Sequence, residues 1–159
     1  MTARPELVLG WREWITLPEL GIPLVKAKID TGAKTSALHA FELEEWEDGD
    51  IAMVTFKIHP IQKREDIVVT CSAPIADRRM VSDSGGHREN RVVIRTPITF
   101  GNTTVDSDIT LTSRENMLFR MLLGRRTLEA AGAMVDVNGS YLLGRYRTRD
   151  WPKEYERTI

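Results

Sequence analysis

Asp30 ends an apolar run and opens a turn, in a stretch from Lys26 to Ala40 that reads K-A-K-I-D-T-G-A-K-T-S-A-L-H-A. The residues before it (Leu24, Val25, Ala27, Ile29) suit a buried strand, so the carboxylate stands where desolvation or a neighbouring charge can tune its ionisation. Thr31 brings a hydroxyl that donates and accepts, Gly32 tolerates positive φ and close backbone approach, and Ala33 keeps the loop small. Asp, Thr and Gly are also common turn residues, so the tripeptide by itself leaves a plain turn and a reactive loop both open. Peptide hydrolysis needs a base to activate water and an acid to protonate the departing groups. Two carboxylates sharing one proton supply both roles, and one alone does not.

A second stretch, Met121-Leu122-Leu123-Gly124-Arg125-Arg126, is a buried-strand run that stops at a glycine and enters a short helix over Thr127 to Ala131. Gly132 suits the left-handed cap at its end. Apolar-apolar-Asp-Thr-Gly-Ala early, with apolar-apolar-Gly-Arg and a short helix late, resembles the retropepsins, half-size relatives of pepsin whose subunits pair into an aspartic protease. More closely, the two motifs resemble a bacterial retropepsin-like family labelled as ATP-dependent zinc proteases. The resemblance covers about Leu24 to Val137.

The resemblance implies an all-β fold, a closed six-stranded-type acid-protease barrel with one short C-terminal helix. It implies an aspartic endopeptidase acting on a peptide or protein substrate, with Asp30 catalytic and Thr31, Gly32 and Ala33 forming the loop that meets substrate. Only one Asp-Thr-Gly is present, so the dyad requires a homodimer with Asp30 of each subunit at the two-fold axis. Ser84, Gly85 and Gly86 would tip a flap over the substrate, and Leu122, Leu123, Gly124 and Arg125 would form scaffold beneath the loop. Retroviral members carry an acid just after Asp-Thr-Gly-Ala that pairs with the arginine of the late motif. Here that position is Lys34, leaving Arg125 without that partner. Family resemblance also implies a partner, an ATP-grasp glutamate ligase or the ribosomal protein to which such ligases add glutamates. Two alternatives stand beside the peptidase: a non-catalytic peptide- or partner-binding module of the same fold, and a metal-dependent (zinc) protease using His39 with nearby acids.

The residues give no support to zinc or ATP. The histidines are His39, His59 and His87, Cys71 is the single cysteine, and neither His-Glu-x-x-His nor a paired cysteine spacing occurs. No G-x-x-x-x-G-K-[ST] phosphate loop occurs either. No metal and no cofactor are therefore expected.

Short β-type runs separated by Gly, Asn, Asp and Pro must position these groups, and they suggest an all-β barrel or sandwich. Strands are expected over Glu6 to Leu9, Trp11 to Leu17, Leu24 to Ile29, Ser36 to Trp46 and Ile51 to Ile58. A further strand, Asp66 to Cys71, ends near Pro74. Arg78 to Ile94 reads as a hairpin with Gly85-Gly86 at its tip, followed by a pair, Val92 to Phe100 and Thr103 to Thr112, across Gly101-Asn102. Met117 to Leu123 leads into the late motif, and Asn138-Gly139 predicts a last hairpin between Met134 to Val137 and Tyr141 to Leu143. The acids between Glu42 and Asp50 are read as the solvated face and tip of a hairpin.

The 159 residues suit a single domain over 1–159, with its core at about 24–137 and extensions at 1–23 and 144–159. With 22 basic and 23 acidic residues, bulk charge argues for neither a nucleic-acid nor a membrane partner. Aromatic and basic residues alternate from Gly144 to Ile159, but interspersed acids favour a tail packed on its own subunit or partner. No apolar segment of signal-peptide length precedes Arg12 and Glu13, and no run reaches the roughly 18 residues a membrane helix needs. One unpaired cysteine fits a reducing compartment, so a soluble, cytoplasmic protein is expected.

Overall fold

Successive side chains of an extended backbone point to opposite faces, so short alternating runs bounded by turn residues fold as strands with one face inward. A computed structural model describes residues 7–82, 85–113 and 118–146. Its strands are β1 (Val8–Leu9), β2 (Arg12–Leu17), β3 (Ile22–Ile29), β4 (Ser36–His39), β5 (Phe41–Asp48) and β6 (Ile51–Ile58). They continue as β7 (Val69–Ser82), β8 (Arg88–Phe100), β9 (Thr103–Thr112), β10 (Met121–Leu123), one helix α1 (Arg125–Ala131) and β11 (Met134–Val135).

Neighbouring strands run β2-β3-β10-β4-β9-β8, and a pairing of Thr16 with Thr99 joins β2 back to β8. That closure makes a six-stranded barrel. It is mixed, because β10 lies parallel to β3 and β4 parallel to β9 while the other barrel pairs are antiparallel. The fold is therefore the closed barrel with one short C-terminal helix that the two motifs implied. Ile15, Leu17, Val25, Leu38, Ile94, Ile98, Phe100 and Met121 fill its core.

From β8 the sheet continues outward through β7 and β6 to β5. β6 turns Val54, Phe56 and Ile58 into the main core, while β5 is exposed from Glu42 to Asp48. A smaller cluster of Trp14, Leu24, Ile61 and Ile67, with Tyr141 against it, covers another patch.

Three elements differ from their sequence reading. Ser36 to Trp46 is two strands rather than one, broken at Ala40, whose N–H donates to Thr112 O (2.9 Å) before the chain turns to pair with β6. Pro74 does not end its strand. It sits where β7 passes from β6, its partner up to Pro74, to β8, its partner from Ile75, so the missing N–H falls at a handover between ladders. Asn138-Gly139 makes no hairpin, because β11 pairs in parallel with β1 and the N–H groups of Leu142 and Leu143 donate to the Glu13 carboxylate.

Candidate functional site

The Asp30 loop is fixed from below first by backbone. The Asp30 N–H donates to Leu123 O (2.9 Å), Arg125 N–H to Ala33 O (2.7 Å) and Arg126 N–H to Lys34 O (3.2 Å). Gly124 lies so close to the loop that a Cβ there would stand 2.6 Å from the Thr35 carbonyl carbon. A buried trio of hydroxyls completes the join: Thr127 Oγ1 lies 2.6 Å from both Ser36 Oγ and Ser107 Oγ, and Ser36 Oγ accepts the Gly124 N–H at 2.9 Å. Sequence reasoning did not find this trio. Its signal was three small hydroxyl residues in runs that otherwise turn apolar side chains inward.

The Asp30 side chain is spent on its own turn. Its Oδ1 accepts the N–H groups of Gly32 (3.1 Å) and Ala33 (3.2 Å), an arrangement that Asp and Asn commonly form in turns. No hydrogen bond joins Asp30 to a second carboxylate among the described residues. Thr31 and Gly32 are exposed and Ala33 half-buried. Gly85 and Gly86 lie exposed at the tip of the β7–β8 hairpin, Gly86 with φ of 79°, whereas Ser84 falls outside the described residues. Leu123 is fully buried and Leu122 partly so. Arg125 meets Glu129 one helical turn on, Nε to Oε1 3.6 Å, with both side chains more than half exposed. Pairs of this kind contribute only a few tenths of a kcal/mol.

Apart from that loop, a cleft of about 980 Å³ opens between β5 and the start of β8. Phe41 to Leu43 and Glu45 form one wall, Glu89 to Val92 the other, and His39, His59 and Arg120 contribute as well; none of Asp30 to Ala33 lines it. Arg78 and Glu45, both on the cleft, form a salt bridge, and the guanidinium holds the Glu45 carboxyl below its ordinary range. Arg91 is buried and pairs with Glu89 at 3.1 Å. His59 stacks on Phe41, ring centres 4.5 Å apart, with its Nδ1 3.3 Å from Ile67 O. His39 is buried at the end of β4. Among the described residues no group of three or more His, Cys, Asp or Glu side chains is placed to hold a metal ion.

Comparison with known proteins places this geometry in context. The chain is 41% identical over 121 residues to a "Probable alpha-L-glutamate ligase" of Desulfotalea psychrophila, covering 76% of this chain and 26% of that protein. It is 37% identical over 142 residues to a protein of the same name from Parasynechococcus marenigrum, covering 89% of this chain and 30% of the relative. The chain thus spans under a third of the length of these relatives. Among solved structures, a Legionella pneumophila protein of unknown function, Lpg0085, superposes with a TM-score of 0.76 at 24% identity, covering 87% of this chain and 99% of that one. At that identity the likeness is one of fold.

These findings overturn the aspartic endopeptidase expected from the motifs. Hydrolysis required two carboxylates. The second was to come from another copy of the chain; in this one Asp30 Oδ1 is bonded into its own turn and none of Asp30 to Ala33 lines the cleft. Nor do the described residues hold a ligand cluster that would support the zinc-protease alternative. The relatives carry the name of a ligase, and the solved neighbour has no stated function. The family model that matches residues 8–145 is described as RimB-like, "Retropepsin-like aspartic endopeptidase RimB", an activity that belongs to its namesake. Closed mixed barrel, Asp-Thr-Gly turn and late Gly-Arg helix all fall within that match, and the chain belongs to the RimB-like family of retropepsin-like proteins.

Proposed function

We propose that this chain is a non-catalytic, peptide- or partner-binding module that serves an ATP-grasp glutamate ligase. One observation carries the reading: a stretch 37–41% identical to this chain over 76–89% of its length forms part of longer proteins named as α-L-glutamate ligases. A unit joined to a ligase is held beside it at high effective concentration, and a separate copy must reach the same place by binding. The open cleft supplies a concave, partly apolar surface for such a contact. The ligase itself and the ribosomal protein that such ligases extend with glutamate are the two partners that fit, and the cytoplasm is where they would meet.

Size-exclusion chromatography and calorimetry of the full chain with a purified α-L-glutamate ligase from the same cell test the reading. A one-to-one complex, or a changed rate of glutamate addition, is expected, and Asp30→Asn should bind as well as the wild type. Absence of both complex and rate effect overturns it. So does release of peptide fragments by the wild type that Asp30→Asn abolishes.

A further inference from the structure

A strand that lines a cavity with one face contributes every second residue, whereas a strand presenting its edge contributes consecutive ones. The cleft is bordered by Phe41, Glu42 and Leu43 in succession, and by Glu89 to Val92 in succession. Strand pairing agrees. Among the described residues β5 ends the nine-stranded sheet and pairs only with β6, and a register shift between Phe41 and Glu44, with Glu42 at φ of 51°, takes Glu42 and Leu43 out of even that ladder. Among those residues β8 meets β9 only from Val93 onward, and its first residues are paired with β7. Two open backbone edges therefore border one cleft.

Its charges are mostly matched. Arg78 pairs with Glu45, Arg91 with Glu89, and Glu42 with Lys57. Arg120 forms no ion pair among the described residues, and its Nε is buried without a hydrogen-bond partner. A buried donor left unpaired is a standing cost, and Arg120 borders the cleft with no carboxylate of its own to offset it among the described residues.

We propose that this cleft takes one extended segment of a partner protein by strand addition, with a single carboxylate side chain docked on Arg120. The inference rests on the binding-module reading and gives it a place and a ligand chemistry. Backbone bonds to an open edge supply affinity, and the carboxylate fixes register. A run of acids is repelled, because Glu42, Glu45, Glu65 and Glu89 border the same space. One acid among neutral β-forming residues meets Arg120 while its neighbours lie on Phe41, Leu43 and Leu111. A second copy of β5 is a poor occupant, since Glu42, Glu44, Glu45, Glu47 and Asp48 would face the same five acids.

Calorimetric titration of the full chain with short peptides tests the site. The probes are alternating Thr-Val peptides with one central Glu or one central Gln, the Glu peptide with N-methylated backbone amides, and oligoglutamate. The Glu peptide should bind about tenfold more tightly than the Gln peptide, the ratio expected of one charge-assisted contact. Arg120→Gln should erase that ratio and leave the Gln peptide unchanged, N-methylation should abolish binding, and oligoglutamate should bind no better than the Gln peptide. Equal affinity for Glu and Gln peptides, tolerance of N-methylation, preference for oligoglutamate, or no binding by either Thr-Val peptide overturns the proposal. The peptide comparisons on wild-type protein decide it even if Arg120→Gln fails to fold. If the ligase binds the wild type and Arg120→Gln equally while the peptides do not bind, this site is wrong and the module reading stands. If the peptides behave as expected and no ligase binds, only the choice of partner falls.

Discussion

Glu13 has no exposed surface and accepts three backbone N–H groups, from Gly10 (2.7 Å), Leu142 (2.9 Å) and Leu143 (3.0 Å). In Trp-Arg-Glu-Trp nothing marks this glutamate as different from a solvated strand residue, because its partners lie up to 130 positions away. A buried carboxylate is tolerable when hydrogen bonds replace its water, and each bond to a charged group contributes about 1.5–3 kcal/mol. Glu13→Gln sets an amide N–H among those donors and should lower unfolding stability by about 3 kcal/mol in urea titration. Asp30 differs. Its role in the turn needs an acceptor oxygen rather than a charge, so Asp30→Asn should stay within about 0.5 kcal/mol of wild type in the same titration. Cys71 is buried, its Sγ 3.4 Å from Leu20 O, and burial pushes its thiol from the ordinary 9.0 up to about 12. The thiol should resist alkylation at pH 8 until the protein unfolds, as mass spectrometry with and without urea will read. The raised value means that the folded chain keeps this proton after the unfolded chain has lost it. Its contribution is complete below pH 9.0 and declines as pH rises toward about 12.

Elements were legible wherever local chemistry decided them. The Gly49 and Gly101 turns, the arms that flank the Gly85-Gly86 tip, and the helix closed by Gly132 at φ of 63° follow from turn residues and alternation. Elements decided by distant partners were not. Asn138-Gly139 lost its hairpin to the Glu13 carboxylate, and Pro74 was absorbed because β7 changes neighbours there. The late motif was legible for a steric reason, since β10 passes into α1 where the loop after Asp30 leaves no room for a side chain at position 124. Gly124→Ala should therefore cost about 2 kcal/mol or more, measured as a lower urea midpoint with an unchanged slope.

At the scale of the whole molecule, two short motifs carried the fold and did not carry the activity. A barrel needs its strands to close, which β2 and β8 achieve within one chain, whereas a hydrolytic dyad needs a second acid that a single copy of the Asp-Thr-Gly motif does not supply. The cleft escaped sequence reading because it arises from where ladders stop, between β5 and the start of β8, which among the described residues pairs with β7 before β9 joins it. No helix among the described residues is long and apolar enough to cross a membrane. Trp11 N–H donates to Gly139 O (2.8 Å), Tyr141 N–H to Arg12 O (3.0 Å), and Val8 lies in register with Met134. Early and late chain thus enter and leave the barrel by a shared doorway. A permuted chain that joins residues 7 and 146 by a flexible linker and begins at Gly49 should keep its circular dichroism spectrum. The same doorway would let a unit of this shape be spliced into a larger polypeptide without threading, and longer proteins do carry a stretch similar to it.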